Sequence, residues 1–309
     1  MPTFFMDVVY NVVNRMSKFA RGILYLCVSV VLYSIMPVLI RTLGHGHVPP
    51  ASQVFLRYIV AFGAALLYFA ATKSRIAIKK HDIPLLICVA LFGYALVNLF
   101  YTWANLSTQI GTVLFIFNSS TVLGPLLGFL FLKERMNSSK IIAMVIGLLS
   151  LFFLFRPGPF VTWEQGALFA FIAAIGSSFY VIGRKKLGTY DSKLILLINT
   201  VVGVVVLGFI AIMTESHFFT GSGVGSLTPT TWIVTVLFGL DNFTAYLFMT
   251  KGYQLVSAGT GSMVMLSENF LAILFGFLFF SEIPTVTTFI GGALILTASM
   301  LVILKSERV

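Results

Sequence analysis

The chain has 309 residues, of which 58% are hydrophobic, 15% aromatic and only 10% charged, with a formal net charge of +10. Soluble domains average roughly 25% charged residues, so this composition excludes a water-covered globule of this length, and a mean hydropathy of +1.00 points to a bilayer as solvent. The basic excess would suit nucleic acid, but where it falls along the chain argues against that partner.

Residues 1–20 repeat apolar side chains at Val8, Val9, Val12, Val13, Met16 and Phe19, a helical spacing that predicts an amphipathic segment lying in the interface. Ten stretches long or apolar enough to span follow. The first five are Ile23–Thr42, Val54–Thr72, Ile83–Ala104, Gly111–Leu132 and Ile141–Phe155. The second five are Ala167–Gly183, Leu194–Met213, Trp232–Thr250, Gly259–Phe280 and Val286–Leu304. Spans near 20 residues match about 30 Å of hydrocarbon, and the shorter fifth needs a flanking turn. The segment Arg156-Pro157-Gly158-Pro159 cannot continue a helix and opens a linker over 156–162. This gives an expected organisation of 1–20 as the interfacial segment, 21–155 as a first five-helix unit, 163–304 as a second, and 305–309 as a tail.

With the N-terminus placed in the cytoplasm, 17 of the 20 Lys and Arg fall on the cytoplasmic side. Outside fall Arg41 and Arg156, and Arg57 stays within the second span. Both termini are therefore expected to be cytoplasmic, in a multi-pass protein of the cell (inner) membrane. The basic charge sets orientation and meets anionic lipid; no nucleic acid is expected. Cys27 and Cys88 both lie inside spans, so no disulfide framework is implied.

The two units repeat each other. Gly111-Thr112, Leu123, Leu126, Gly128-Phe129-Leu130-Phe131, Glu134 and Ile142 recur 148 positions later. Their mates are Gly259-Thr260, Leu271, Leu274, Gly276-Phe277-Leu278-Phe279, Glu282 and Ile290. Upstream, Leu99-Phe100-Tyr101-Thr102 faces Leu247-Phe248-Met249-Thr250 at the same offset, whereas Leu91-Phe92-Gly93 meets Leu237-Phe238-Gly239 only after a two-residue shift. Five spans per copy is an odd number, so the second copy must enter the membrane from the opposite face. The expected fold is all-α and integral to the membrane: ten transmembrane helices as two five-helix inverted repeats around a central cavity. Such duplications point to transporters that work by alternating access, with the site near the midplane.

The block from Ala104 to Phe155, with Leu132-Lys133-Glu134-Arg135 between two apolar helices, resembles the EamA-type domain of the drug/metabolite transporter superfamily. Gly259 to Leu304, with Phe280-Ser281-Glu282, is similar to its second copy. Tyr33-Ser34-Ile35-Met36-Pro37, Ser177-Ser178-Phe179-Tyr180 and Arg57 add to the likeness, which covers about residues 21 to 304. The resemblance implies a ten-helix carrier that exports or exchanges small metabolites, often amino acids or related compounds, held in a central cavity. Two positions depart from the family pattern: Ala143 stands opposite Gly291 in the fifth helices, and Glu268-Asn269 replaces the frequent Glu-Pro of the ninth.

A charge inside a span is costly and by default functional or paired. Ser267-Glu268-Asn269 lies mid-span, and the repeat places Ser120 of Asn118-Ser119-Ser120 opposite Glu268. Glu268 is thus expected to bind a substrate ammonium or to carry the proton of an exchange cycle, the alternative being a hydrogen-bonded joint between helices. Asn98, Tyr101, Tyr33, Ser177, Tyr180 and Tyr246 sit on spans expected to line the cavity. Asp241 either joins them or lies at an outer water interface. Arg57 suits a bidentate carboxylate contact, but the family position implies a structural partner of backbone or helix ends. Glu134 and Glu282 precede helix starts at Ser138 and Pro284 and are expected to cap them.

These features predict a secondary transporter of amino acids, including aromatic and apolar ones, or of amines, working as an exporter. No cofactor, metal site or catalytic residue is expected, and the chain is expected to be monomeric, with a homodimer as the alternative. A phosphorylated-sugar or nucleotide-sugar exchanger would want several intramembrane Lys or Arg. An intramembrane aspartyl protease is a remote alternative: Tyr190-Asp191 and Gly239-Leu240-Asp241 mimic its motifs, but the topology places the two acids near opposite faces.

Overall fold

A computed structural model describes residues 16–72, 77–107, 110–134, 136–155, 165–221, 223–280 and 286–306. Most of the expected interfacial segment, the linker 156–162 and Glu282 lie outside these residues. Among the described residues every regular element is helical. Seven helices among the described residues are long and apolar enough to cross a membrane, and Ser138–Phe153 and Phe289–Lys305 are shorter apolar helices.

Helix α1 (Lys18–His45) starts where Ser17 Oγ accepts from the Ala20 amide at 3.1 Å, and it runs through Pro37. Helix α2 (Pro50–Ala71) begins with proline at its first position, where the missing N–H is no loss. Its next two amides are taken by Glu215 from the far half of the chain, at 2.9 Å to Ala51 and 2.7 Å to Ser52. The third passage joins a short 3₁₀ turn, α3 (Ile83–Ala90), a π-helical stretch over Leu91–Ala95 and α4 (Leu96–Ser107). That stretch coincides with the place where the sequence repeat slips by two residues.

The fourth passage is α5 (Ile110–Asn118) and α6 (Ser120–Leu132), followed by α7 (Ser138–Phe155) and α8 (Gln165–Lys186). Then come α9 (Ser192–Thr214), a short α10 (Ser216–Thr220) and α11 (Pro229–Leu255). The chain closes with α12 (Ala258–Met265), α13 (Glu268–Phe280) and α14 (Val286–Ser306).

The packing has a symmetry visible in the helix pairs. Helix α1 lies on α11, and its counterpart α8 lies on α4 and the π-helical stretch; α6 packs on α8 as α13 packs on α1. Helix α2 meets α9 and α7 meets α14, so each of these pairs exchanges with itself when the halves are swapped. Residues 148 apart touch directly: the Tyr94 hydroxyl donates to Asn242 Oδ1 at 3.1 Å, and Asn98 Nδ2 donates to Tyr246 Oη at 2.9 Å. Those contacts fix where the two copies meet.

Small residues permit the approach. A Cβ on Gly93 would stand 2.9 Å from Tyr180 Cα, and one on Gly239 would stand 2.7 Å from the Arg57 carbonyl oxygen. Without a hydrophobic drive between helices in lipid, such close packing supplies the association energy. The outward faces are apolar, with Leu67, Val205, Phe209, Leu278 and Val286 all at least 65% exposed. In water that surface would aggregate; in hydrocarbon it is the expected exterior.

Candidate functional site

The fourth passage of each half is interrupted at equivalent depth. Helix α5 ends at Asn118 and α6 begins at Ser120; α12 ends at Met265 and α13 begins at Glu268. The interruption is built alike in both. The Ser119 amide bonds the Ile116 carbonyl at 3.1 Å, and its repeat mate Ser267 bonds Val264 at 3.1 Å, each a 3₁₀ contact in place of an α-helical one. Side chains hold the turns: Ser119 Oγ donates to Ile116 at 2.7 Å, Asn118 Nδ2 to Leu114 at 2.8 Å and Asn269 Nδ2 to Leu266 at 3.0 Å. Ser and Asn compete for helix carbonyls in this way, so the break at Glu268-Asn269 needs no proline. Asn118 Nδ2 also reaches Asn269 Oδ1 at 2.6 Å and ties one break to the other.

Between the breaks lies a cavity of about 100 Å³. One water takes up roughly 10–15 Å³ of such space, so several waters or one small solute fit. Of the residues singled out from the sequence, Tyr33, Asn98, Tyr101, Asn118, Ser120, Ser177, Tyr180, Tyr246 and Glu268 line it. Ser120 and Glu268, which occupy the same repeat position, both open the second half-helix of their passage, and both face this space. Among the described residues Glu268 is the only acid in the lining, and no Lys, Arg or His contributes to it. Glu268 is the acid in the first turn of α13.

Four candidates lie off the cavity. Ser119 is turned onto its own helix, and Ser267 bonds Ser299 Oγ at 3.1 Å. Asn269 is buried against Asn118. Asp241 does not line the space; it lies within Coulombic reach of Arg57, with Oδ2 buried and unpartnered. Met36, Met249, Tyr253, Ser262 and Met265 belong to the lining but were not singled out by sequence. Helical spacing marks such residues only as apolar or packing positions, and the packing of α11 and α12 on α1 is what turns them inward. Tyr94, also missed, stands one layer behind with its ring 4.0 Å from that of Tyr246.

Arg57 departs from its expected partner. It is 1% exposed; its Nη2 donates to Asn98 Oδ1 at 2.7 Å and its guanidinium lies 4.4 Å from the Phe238 ring centroid. A side-chain amide and an aromatic face hold it, not backbone or a helix end. Glu134 also caps a different helix from the one expected. Left-handed backbone at Lys133 (φ 54°) turns Glu134 away from Ser138, and its carboxylate accepts from the Ala258 and Gly259 amides at 2.9 and 3.4 Å. It therefore caps α12 in the other half of the molecule. Asp191 and Asp241 are engaged separately: Asp191 caps α9 through the Lys193 amide at 3.0 Å.

The EamA-like transporter family matches the sequence twice, over residues 20–156 and 164–304. The chain belongs to this family. Membership indicates a membrane transporter of small molecules rather than an enzyme. Relatives of this EamA-like transporter include the pseudopaline exporter CntI of Pseudomonas aeruginosa, 22% identical over 90% of this chain and 94% of that protein. Solute carrier family 35 member G1 of Homo sapiens is 24% identical over 90% of this chain and 77% of its own length. The uncharacterized transporter YdfC of Bacillus subtilis is 23% identical over 82% of this chain and 81% of that protein. A solved crystal structure, 16% identical, superposes with a TM-score of 0.78 over 93% of this chain and 99% of its own, a likeness of fold.

Proposed function

We propose that this EamA-like transporter moves amino acids, including aromatic and apolar ones, or amines across the inner membrane by alternating access, as an exporter. The observation that carries the reading is the cavity between the two broken passages. It offers one carboxylate, Glu268, among the rings of Tyr33, Tyr101, Tyr180, Tyr246 and Tyr253 and the thioethers of Met36, Met249 and Met265. A substrate ammonium pairs with Glu268 and with aromatic faces, while an apolar side chain occupies the Met and Tyr walls. A relative that exports pseudopaline supports the outward direction. Glu268 is also the coupling candidate, because one carboxylate can hold a proton or an ammonium but not both.

The double family match, contacts between residues 148 apart and the exchange of helix pairs support ten passages arranged as two inverted halves. The distribution of Lys and Arg supports cytoplasmic termini. A phosphorylated-sugar exchanger is disfavoured by a lining without Lys, Arg or His among the described residues. Counterflow into proteoliposomes discriminates the two. Vesicles preloaded with amino acids should accumulate labelled amino acid, and vesicles preloaded with hexose phosphate should not accumulate labelled phosphate ester. Exchange of the phosphate ester alone would refute the proposal.

A further inference from the structure

The wall of the cavity formed by Tyr33 and Tyr246 has a fixed hydrogen-bond polarity, and Arg57 sets it. An arginine can only donate, so its 2.7 Å contact must fall on the oxygen of the Asn98 amide. The Asn98 nitrogen then faces the Tyr94 carbonyl at 3.0 Å, which can only accept, and Tyr246 Oη at 2.9 Å. Both ends of the amide agree, so its orientation is not free. Tyr246 is thereby obliged to accept, and its own proton finds no acceptor among the hydrogen bonds of the described residues. The buried Tyr33 hydroxyl faces Tyr246 as a second donor to it, with the two rings edge-on at 5.4 Å, and both tyrosines line the cavity. Behind them Arg57 keeps Nε and Nη1 without partners.

This wall therefore has more donors than acceptors, in a setting where an unused buried donor is costly. Asp241 offsets part of the Arg57 charge from behind, but it neither approaches within 4.0 Å nor lines the cavity. The other pole is the reverse: Glu268 offers only acceptor oxygens when ionised.

We infer that the cavity is built for a zwitterion, whose carboxylate receives the Tyr246 proton while its ammonium meets Glu268. Arg57 and Asn98 act as positioning residues that keep the Tyr246 proton pointed at the substrate. The inference rests on the amino-acid or amine reading and narrows it to free amino acids over their decarboxylated amines.

The test compares phenylalanine with 2-phenylethylamine, which lacks only the carboxylate, by calorimetric titration of the purified full-length chain. Wild type should bind the amino acid at least about tenfold tighter, the scale of a hydrogen bond to a charged group. Tyr246→Phe should remove most of that preference by weakening phenylalanine alone. Asn98→Asp is the sharper variant. Its carboxylate still accepts from Arg57 but also accepts the Tyr246 proton, so the preference should fall although Tyr246 and the Arg57 contact remain. Equal loss for both ligands, or an unchanged ratio in both variants, would overturn the zwitterion inference and leave the amine reading standing. Wild type that binds neither ligand would remove the amino-acid or amine reading and this inference with it.

Discussion

Two glutamates show how little a residue's neighbours in sequence say about its partner. Glu134 and Glu215 each follow a helix and each cap a helix in the opposite half, α12 and α2 respectively. The expectation that Glu134 caps the helix at Ser138 followed from proximity in sequence, and the left-handed turn at Lys133 redirects it. A lost cap costs about 1 kcal/mol. Glu134→Ala should therefore lower the thermal midpoint of the detergent-purified protein by a few degrees, with Glu134→Gln intermediate. An unchanged midpoint in Glu134→Ala would show that the cap is not formed in solution. At the site itself the sequence was informative where chemistry was unusual for a membrane: Glu268, Ser120, Asn98 and Asn118 stand out because polar groups in a span demand a reason. The methionines and Tyr253 carry no such signal, since a Met or Tyr stripe reads the same whether it faces lipid, core or cavity.

At the scale of elements, the broken passages were legible only in part. The family's Glu-Pro is absent, yet α12 and α13 still part at Leu266-Ser267, because the side chains of Ser299 and Asn269 take the Met263 and Leu266 carbonyls that a continuous helix would use. The joint between the breaks is the Asn118–Asn269 contact at 2.6 Å. Asn118→Leu leaves Asn269 Oδ1 without that donor, and a buried unsatisfied acceptor costs roughly 1–3 kcal/mol. Reduced stability together with transport impaired more than tenfold is the expected result, read by melting and by uptake in parallel.

The seam of α3–α4 against α8 gives a second element-scale prediction. A side chain at Gly93 would collide with Tyr180 backbone, which cannot rotate away, whereas Gly63 has nothing within 4 Å of a built Cβ. Gly93→Val should cost about 1–3 kcal/mol, the range for overpacking, while Gly63→Ala should melt at or above wild type, since Ala favours a helix interior over Gly. Equal melting of the two variants would contradict the seam.

For the whole molecule, the repeat in the sequence and the helix pairs in space describe the same object. Matching residues at offset 148 foretold corresponding helices; they did not foretell that Tyr94 would bond Asn242 or Asn98 would bond Tyr246. A repeat gives equivalence of position, while only packing shows which equivalent positions touch. The same packing puts Ser120 and Glu268 in the wall of one cavity, so the scaffold repeats and the chemistry does not. Orientation is testable separately: single cysteines at Lys18 and Lys305, introduced into a chain lacking Cys27 and Cys88, should resist membrane-impermeant maleimide in intact cells and react after permeabilisation.

The central claim is that Glu268 holds the substrate ammonium in that cavity. Counterflow of labelled phenylalanine in proteoliposomes, wild type beside Glu268→Gln at matched protein incorporation, tests it most directly. The account predicts that the variant loses at least about 90% of exchange and that the remainder no longer responds to pH, because the amide can neither pair with an ammonium nor exchange a proton. Uptake equal to wild type with unaltered pH dependence would contradict it.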